Sequence, residues 1–156
     1  MIGQARIPFM NFRIIVAGKP ALAYAKAATD DYLKRLGRHG NHELIVIKAG
    51  SSEEVSEKLL ERSEGCFRIV LDERGKALST RAFHEQIERL RLRGDIKSVA
   101  FLIGAADGHT DELRQKADLL LQVSSFTLQH ELALVVLLEQ LYRIASIDVG
   151  SPYHRD

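Results

Sequence analysis

Four short apolar runs rich in β-branched or aromatic residues, at 12–17, 43–47, 67–71 and 99–103, alternate with stretches of helical period. No other feature of the chain restricts its fold as much. Leu22, Ala25, Tyr32 and Leu36 share one face of a helix from Pro20 onward, and Phe83, Ile87 and Leu90 do so after Ser79. Ser51 and Glu54 have the spacing of a capping box, for a helix extending to about Arg62. Parallel strands need crossovers, and crossover helices cover both faces of the sheet. The pattern predicts an α/β domain with a mainly parallel sheet flanked by helices.

At 156 residues the chain suits one domain with a sizeable core. The first ten residues lack the continuous apolar stretch of a signal peptide and no later segment approaches a membrane span, which predicts a cytoplasmic protein without a membrane partner. Cys66 has no disulfide partner or metal-ligand spacing and reads as a small buried hydrophobe. Lys plus Arg is 22 against 21 for Asp plus Glu, so any contact with nucleic acid must be local. The six histidines show no metal pattern: His39 and His42 fall in a polar turn, and His84 falls on an exposed helix face. No metal is expected.

Beyond Gly104 the pattern changes to a polar turn, a short helix from about Asp111, an apolar run at 119–123 and a long helix at 131–147. Leu132, Leu134, Val135, Val136, Leu137, Leu138, Leu141, Ile144, Ala145 and Ile147 cover most of that helix's circumference, so one sheet face cannot bury them all. The helix is either enclosed by its own domain or lies at a dimer contact. Glu139 and Arg143, four apart, form either a structural ion pair or a site where Arg143 reaches RNA or a partner subunit. Ligands of open parallel sheets bind beyond the carboxyl ends of strands. The loops there are 72–76, 104–109 and 124–130; the second has glycines four apart but is neither a dinucleotide fingerprint nor a P-loop. The terminal Tyr153, His154 and Arg155 gather an aromatic, a titratable ring and a guanidinium in a position where tails are usually frayed.

Several segments together carry a resemblance: Ile15-Val16-Ala17-Gly18-Lys19, Asp31-Tyr32-Leu33-Lys34-Arg35-Leu36, the loop after Phe101-Leu102-Ile103, Phe126-Thr127-Leu128-Gln129-His130, Leu138-Glu139-Gln140-Leu141-Tyr142-Arg143 and Tyr153-His154-Arg155. In order and spacing they resemble the bacterial large-subunit ribosomal RNA methyltransferase H family, of the SPOUT class. The resemblance runs from about Met10 to the end, leaving 1–9 as an extension before a 10–156 domain. It implies a single α/β domain whose carboxyl-terminal part forms a trefoil knot, and a homodimer. It implies S-adenosyl-L-methionine as cofactor, held by backbone groups at positions matching Leu71, Gly104, Val123, Ser124, Ser125, Phe126, Thr127 and Leu128. The implied substrate is N3 of a pseudouridine in large-subunit ribosomal RNA, in the assembled ribosome. That nitrogen must lose its proton before it attacks the methyl group, so a base or a group favouring the anion would accelerate transfer. His154 is the titratable candidate, with Tyr153 and Arg155 orienting base and RNA, and the tail is expected to complete the site across the subunit boundary. His130 has a similar part or makes a helix-start hydrogen bond; Arg143 joins it as a substrate-binding candidate.

Relatives usually have a second glycine where this chain has Ala105, a proline at Gln129 and an arginine at Leu134. These departures predict a cofactor entrance narrowed by a methyl, a looser loop before His130, and a positive charge removed from the RNA face. They motivate a rival reading, a weakened ribosome- or RNA-binding SPOUT protein, or one with a different RNA target. A flavodoxin-like small-ligand module is a further rival, resting on the βα alternation alone.

Overall fold

A computed structural model describes residues 9–155. Most of the 1–9 extension lies outside the described residues. The chain runs β1 (Asn11–Ala17), α1 (Ala23–Leu36), β2 (Glu43–Ile47), α2 (Ser52–Arg62), β3 (Phe67–Ala77), α3 (Thr80–Arg93), β4 (Ser98–Ile103), α4 (Asp111–Lys116), β5 (Leu119–Gln122) and α5 (His130–Asp148). The strands form one sheet in the order β2-β1-β4-β3-β5, and every pairing is parallel.

Alternation along the strands divides the core in two. Phe12, Ile14, Val16, Ile69, Val99 and Phe101 point to one face, where Leu36 of α1, Phe83 and Ile87 of α3 and Leu134, Leu138 and Leu141 of α5 pack on them. Ile15, Ala17, Val70, Ala100 and Leu102 point to the other, against Val55 and Leu59 of α2 and Leu113 of α4. Local sequence sets the helix starts. Ser51 accepts from the Glu54 amide while the Glu54 side chain returns to the Ser51 amide, and Ser79 and Thr110 cap α3 and α4 the same way from one side. Cys66 is half-buried beside the second cluster. Among the described residues no helix is long and apolar enough to cross a membrane.

Four placements correct or add to what the sequence led us to expect. Leu22 lies just before α1 and is 40% exposed, so it does not share the buried face of Ala25 and Leu36. β3 does not end at Leu71: after an excursion through residues 72–75 it resumes, with Lys76 and Ala77 pairing with Leu121 and Gln122. His84 is not on a free helix face, since its Nε2 lies 2.5 Å from Asp148 Oδ1, with Glu88 completing a group whose ligand atoms all lie within 4.8 Å of one another.

His42 is the fourth. Its ring stacks on Phe12 with centroids 4.8 Å apart, and its Nδ1 accepts the Phe12 amide at 3.1 Å. Burial first, and His39 second, hold its pKa down from 6.5 to about 4. Because the folded value is depressed, the stability His42 contributes is present above the unfolded pKa and is lost as pH falls from 6.5 towards 4. The expected loss is up to about 3 kcal/mol. Urea unfolding at pH 7.5 and 4.5 should show it in the native chain and a smaller loss in His42→Asn.

Candidate functional site

The 72–75 excursion of β3 and the carboxyl ends of β4 and β5 open together into a cleft of about 400 Å³. Its walls come from all three loops singled out in the sequence: Leu71 to Arg74, Gly104 to His109, and Val123 to His130 with Ala133 of α5. Of the expected ligand contacts, Leu71, Gly104, Val123, Ser124, Phe126 and Leu128 line it, and Ser125 and Thr127 stand exposed in the same loop without lining it. Phe126 is 82% exposed, an apolar ring uncovered by its own chain. The floor is apolar, from Leu71, Ile103 and Leu121, and the rim polar, from Ser124, Gln129 and His130. Such a cleft suits a flat ring bound edge-on to backbone groups with a polar remainder at the mouth.

Asp72 anchors the first loop. Burial by itself would raise its carboxyl; the Arg114 guanidinium at 2.7 Å and the Arg74 amide at 2.8 Å outweigh that and hold it below the usual carboxylate range. The second loop turns at Gly108, whose φ is +80°, while Gly104 has an ordinary φ. Gly104 needs to be glycine for another reason: a Cβ would lie 2.8 Å from Cε1 and 2.9 Å from Nδ1 of the His109 ring. Gly104→Val therefore lowers stability as well as ligand affinity. A thermal midpoint several degrees below that of the native chain should accompany any binding loss.

Two residues here escaped the sequence reading. His109 is buried, and its Nε2 lies 2.8 Å from the Leu71 carbonyl oxygen. Glu131, also buried, accepts the amides of Ala21 and Leu22 and so caps α1 from the far end of the chain. Only the contact 110 residues away reveals it. Gln129 corrects an expectation: at φ −59° it already holds the torsion proline would impose, and its Oε1 accepts the Glu131 and Leu132 amides at 2.8 and 3.1 Å. The loop before His130 is capped rather than loosened. His130 starts α5 and lines the cleft, with its Nδ1 3.3 Å from the Gln129 amide nitrogen. Leu134 is 2% exposed, packed in the core, so the expected loss of a positive charge from an RNA face does not fit its place in this chain.

The carboxyl-terminal residues lie elsewhere. Arg143 pairs with Glu139 at 2.5 Å, as the ion-pair reading expects, and also stacks over the Tyr153 ring at 4.8 Å. The Tyr153 hydroxyl donates to the same Glu139 oxygen at 3.3 Å, and its ring meets Tyr142 edge-on at 4.7 Å. Burial, then the neighbouring Tyr32 and Glu139, raise the Tyr153 pKa, so the phenol stays protonated at neutral pH. Arg143 Nη1 lies 3.3 Å from His154 Nδ1; a guanidinium only donates, so the His154 proton sits on Nε2. The tail is thus clasped to the middle of α5, with Arg155 exposed. Neither Tyr153, His154, Arg155 nor Arg143 lines the cleft of its own chain.

With this geometry in hand, the comparisons with known proteins are specific. Residues 10–154 match the family described as predicted SPOUT methyltransferase. The chain is 44% identical over 146 residues to the ribosomal RNA large subunit methyltransferase H of Thermus thermophilus, covering 94% of this chain and 99% of that one. The protein of the same name from Deinococcus radiodurans is 40% identical over 146 residues, again with 94% and 99% covered. That from Neisseria gonorrhoeae is 37% identical over 158 residues, covering 94% of this chain and all of the relative.

Proposed function

Because the chain belongs to the SPOUT methyltransferase family, among the ribosomal RNA large subunit methyltransferase H proteins, we propose that it transfers a methyl group from S-adenosyl-L-methionine to N3 of a pseudouridine in large-subunit ribosomal RNA. The observation that carries this reading is the joint cleft at the β3 excursion and the ends of β4 and β5, built from the three loops that the resemblance assigns to the cofactor. The residues fit that group. Leu71, Ile103 and Leu121 offer an apolar slot, and Ser124, Gln129 and His130 supply hydrogen-bonding groups at the rim. When bound, the cofactor supplies an electrophilic sulfonium methyl. The chain's own task is to present the nucleobase, exclude water and favour loss of the N3 proton. Transfer of labelled methyl groups to ribosomes from a strain lacking this gene tests the reading.

His154 is then a hydrogen-bond donor rather than a base. With Arg143 donating to Nδ1, its Nε2–H can hold the carbonyl oxygen beside N3 and stabilise the anion, while Tyr153 and Arg155 orient base and backbone. The clasp keeps these groups away from their own cleft, which supports a homodimer in which each tail serves its partner's cleft. Leu132, Val135 and Val136 stay half-exposed along α5, an apolar strip that a second copy would cover. Val135→Glu should turn a dimer into a folded monomer by light scattering. Leu138→Glu would not serve, because Leu138 is fully buried in the core of its own chain and a carboxylate there would unfold it. A native chain that is monomeric at micromolar concentration would contradict the dimer.

The trefoil knot belongs to the same proposal. β5 lies at the edge beside β3, yet α5 packs on α1 and α3, and the backbone at Gly75 passes within van der Waals distance of Leu120 and Leu121. A cytoplasmic location fits a ribosomal substrate.

A further inference from the structure

His109 pairs an obligation with a vacancy. Its Nε2–H donates to the Leu71 carbonyl at 2.8 Å, which fixes the tautomer and leaves Nδ1 as an acceptor. That nitrogen is buried and has no hydrogen-bond partner. It faces the bare Cα of Gly104, where even a methyl group would come within 2.9 Å. An apolar side chain of similar volume would fill the space without stranding a polar atom, so stability alone does not favour the ring here. What the imidazole adds is a bond to β3 at the start of its excursion and a flat surface against the end of β4.

We infer that His109 is the positioning residue of the cofactor cleft, a strut that holds the Leu71 carbonyl and the Gly104 backbone at the separation the ligand requires, and that it does so only while its ring is neutral. The inference rests on the cofactor reading above for the identity of the ligand. Protonation would put an N–H against the Gly104 Cα with no acceptor in reach, so ring and loop must separate. Burial opposes the charge on the ring; the Leu71 carbonyl and then Asp72, in the excursion of β3, favour it, and Arg114, on α4, opposes it. Burial being the larger influence, the ring stays neutral below the usual imidazole range and the strut fails only on acidification.

Two variants separate the strut from plain packing. His109→Leu keeps the volume and loses the donor; His109→Gln keeps a donor nitrogen near the Nε2 position and does not titrate. By calorimetry at pH 7.5, His109→Leu should bind S-adenosyl-L-methionine about tenfold or more weakly, the scale of one lost hydrogen bond plus a displaced loop, and His109→Gln should recover part of that loss. Native affinity should fall as the pH is lowered from 7.5 into the acid range, and that of His109→Gln should not. Without ligand, amide hydrogen exchange in His109→Leu should quicken at 72–76 and 104–109 and stay unchanged in β1 and β4. Native affinity in His109→Leu, or a native pH dependence in His109→Gln, would overturn the inference. Should the native chain bind no S-adenosyl-L-methionine, the cofactor reading fails by itself. The exchange pattern then decides the strut: quickening confined to the two loops supports it, and unchanged exchange overturns it.

Discussion

Replacing Gly75 by alanine is expected to destabilise the chain by roughly 3 kcal/mol or more, although the change adds a single methyl group to the half-buried excursion of β3. A Cβ at this position would lie 2.5 Å from the Leu120 carbonyl carbon and 2.6 Å from the Leu121 nitrogen. Both are backbone atoms of β5, a strand pinned by its pairing with β3, so no side chain can rotate away to relieve the overlap. Either the 72–75 excursion lifts off or Lys76 and Ala77 lose their pairing, and both outcomes open the floor of the cleft. Gly50→Ala is the control, since its Cβ would meet the Glu54 side chain at an ordinary 3.5 Å, and should shift stability by less than about 1 kcal/mol. Equal denaturation midpoints for the two variants would mean that the crossing at Gly75 is looser than described.

Removing Tyr153, His154 and Arg155 should lower methyl transfer about a hundredfold or more, the usual scale for losing groups that stabilise developing charge. Folding and cofactor affinity should survive, because the tail packs on the outside of α5 through Arg143, Glu139 and Tyr142 and does not line the cleft. His154→Ala should retain the native pH profile at a lower rate if the ring acts as an Nε2–H donor; a flattened profile would restore the role of general base. Mixed dimers sharpen the test. A tail-less chain combined with an Ala106→Trp chain, whose cleft rim is blocked, has one intact cleft and one intact tail. Activity should recover on mixing if tails act across the subunit boundary. No recovery, with subunit exchange verified, would assign each tail to its own chain.

The strands and helices were legible because each is written in a local pattern: the apolar runs at 43–47 and 99–103 coincide with β2 and β4 to within a residue, and the Ser51–Glu54 capping box starts α2 where its spacing predicts. Local period says nothing about contacts made at long range. His42 reaches the Phe12 amide, Glu131 reaches Ala21 and Leu22, and His109 reaches the Leu71 carbonyl 38 residues away. Each looked like a turn or helix-end residue in the sequence. The loops of the cleft were found by their place after strands, a rule of topology rather than of composition. Why Gly104 must be glycine was not legible, because the reason is the His109 ring and not a backbone torsion. Resumption of β3 at Lys76 was missed for a similar reason: the pairing with Leu121 follows an excursion through polar residues that reads as the end of a strand.

The central claim is methyl transfer to large-subunit ribosomal RNA. Purified ribosomes from a strain lacking this gene, incubated with the chain and labelled S-adenosyl-L-methionine and then digested to nucleosides for mass spectrometry, test it most directly. The account predicts a single labelled product, a pseudouridine methylated at N3 in the large-subunit RNA, absent when the tail is removed. Label on another nucleotide, or no label from a chain that binds the cofactor and is dimeric, would contradict it.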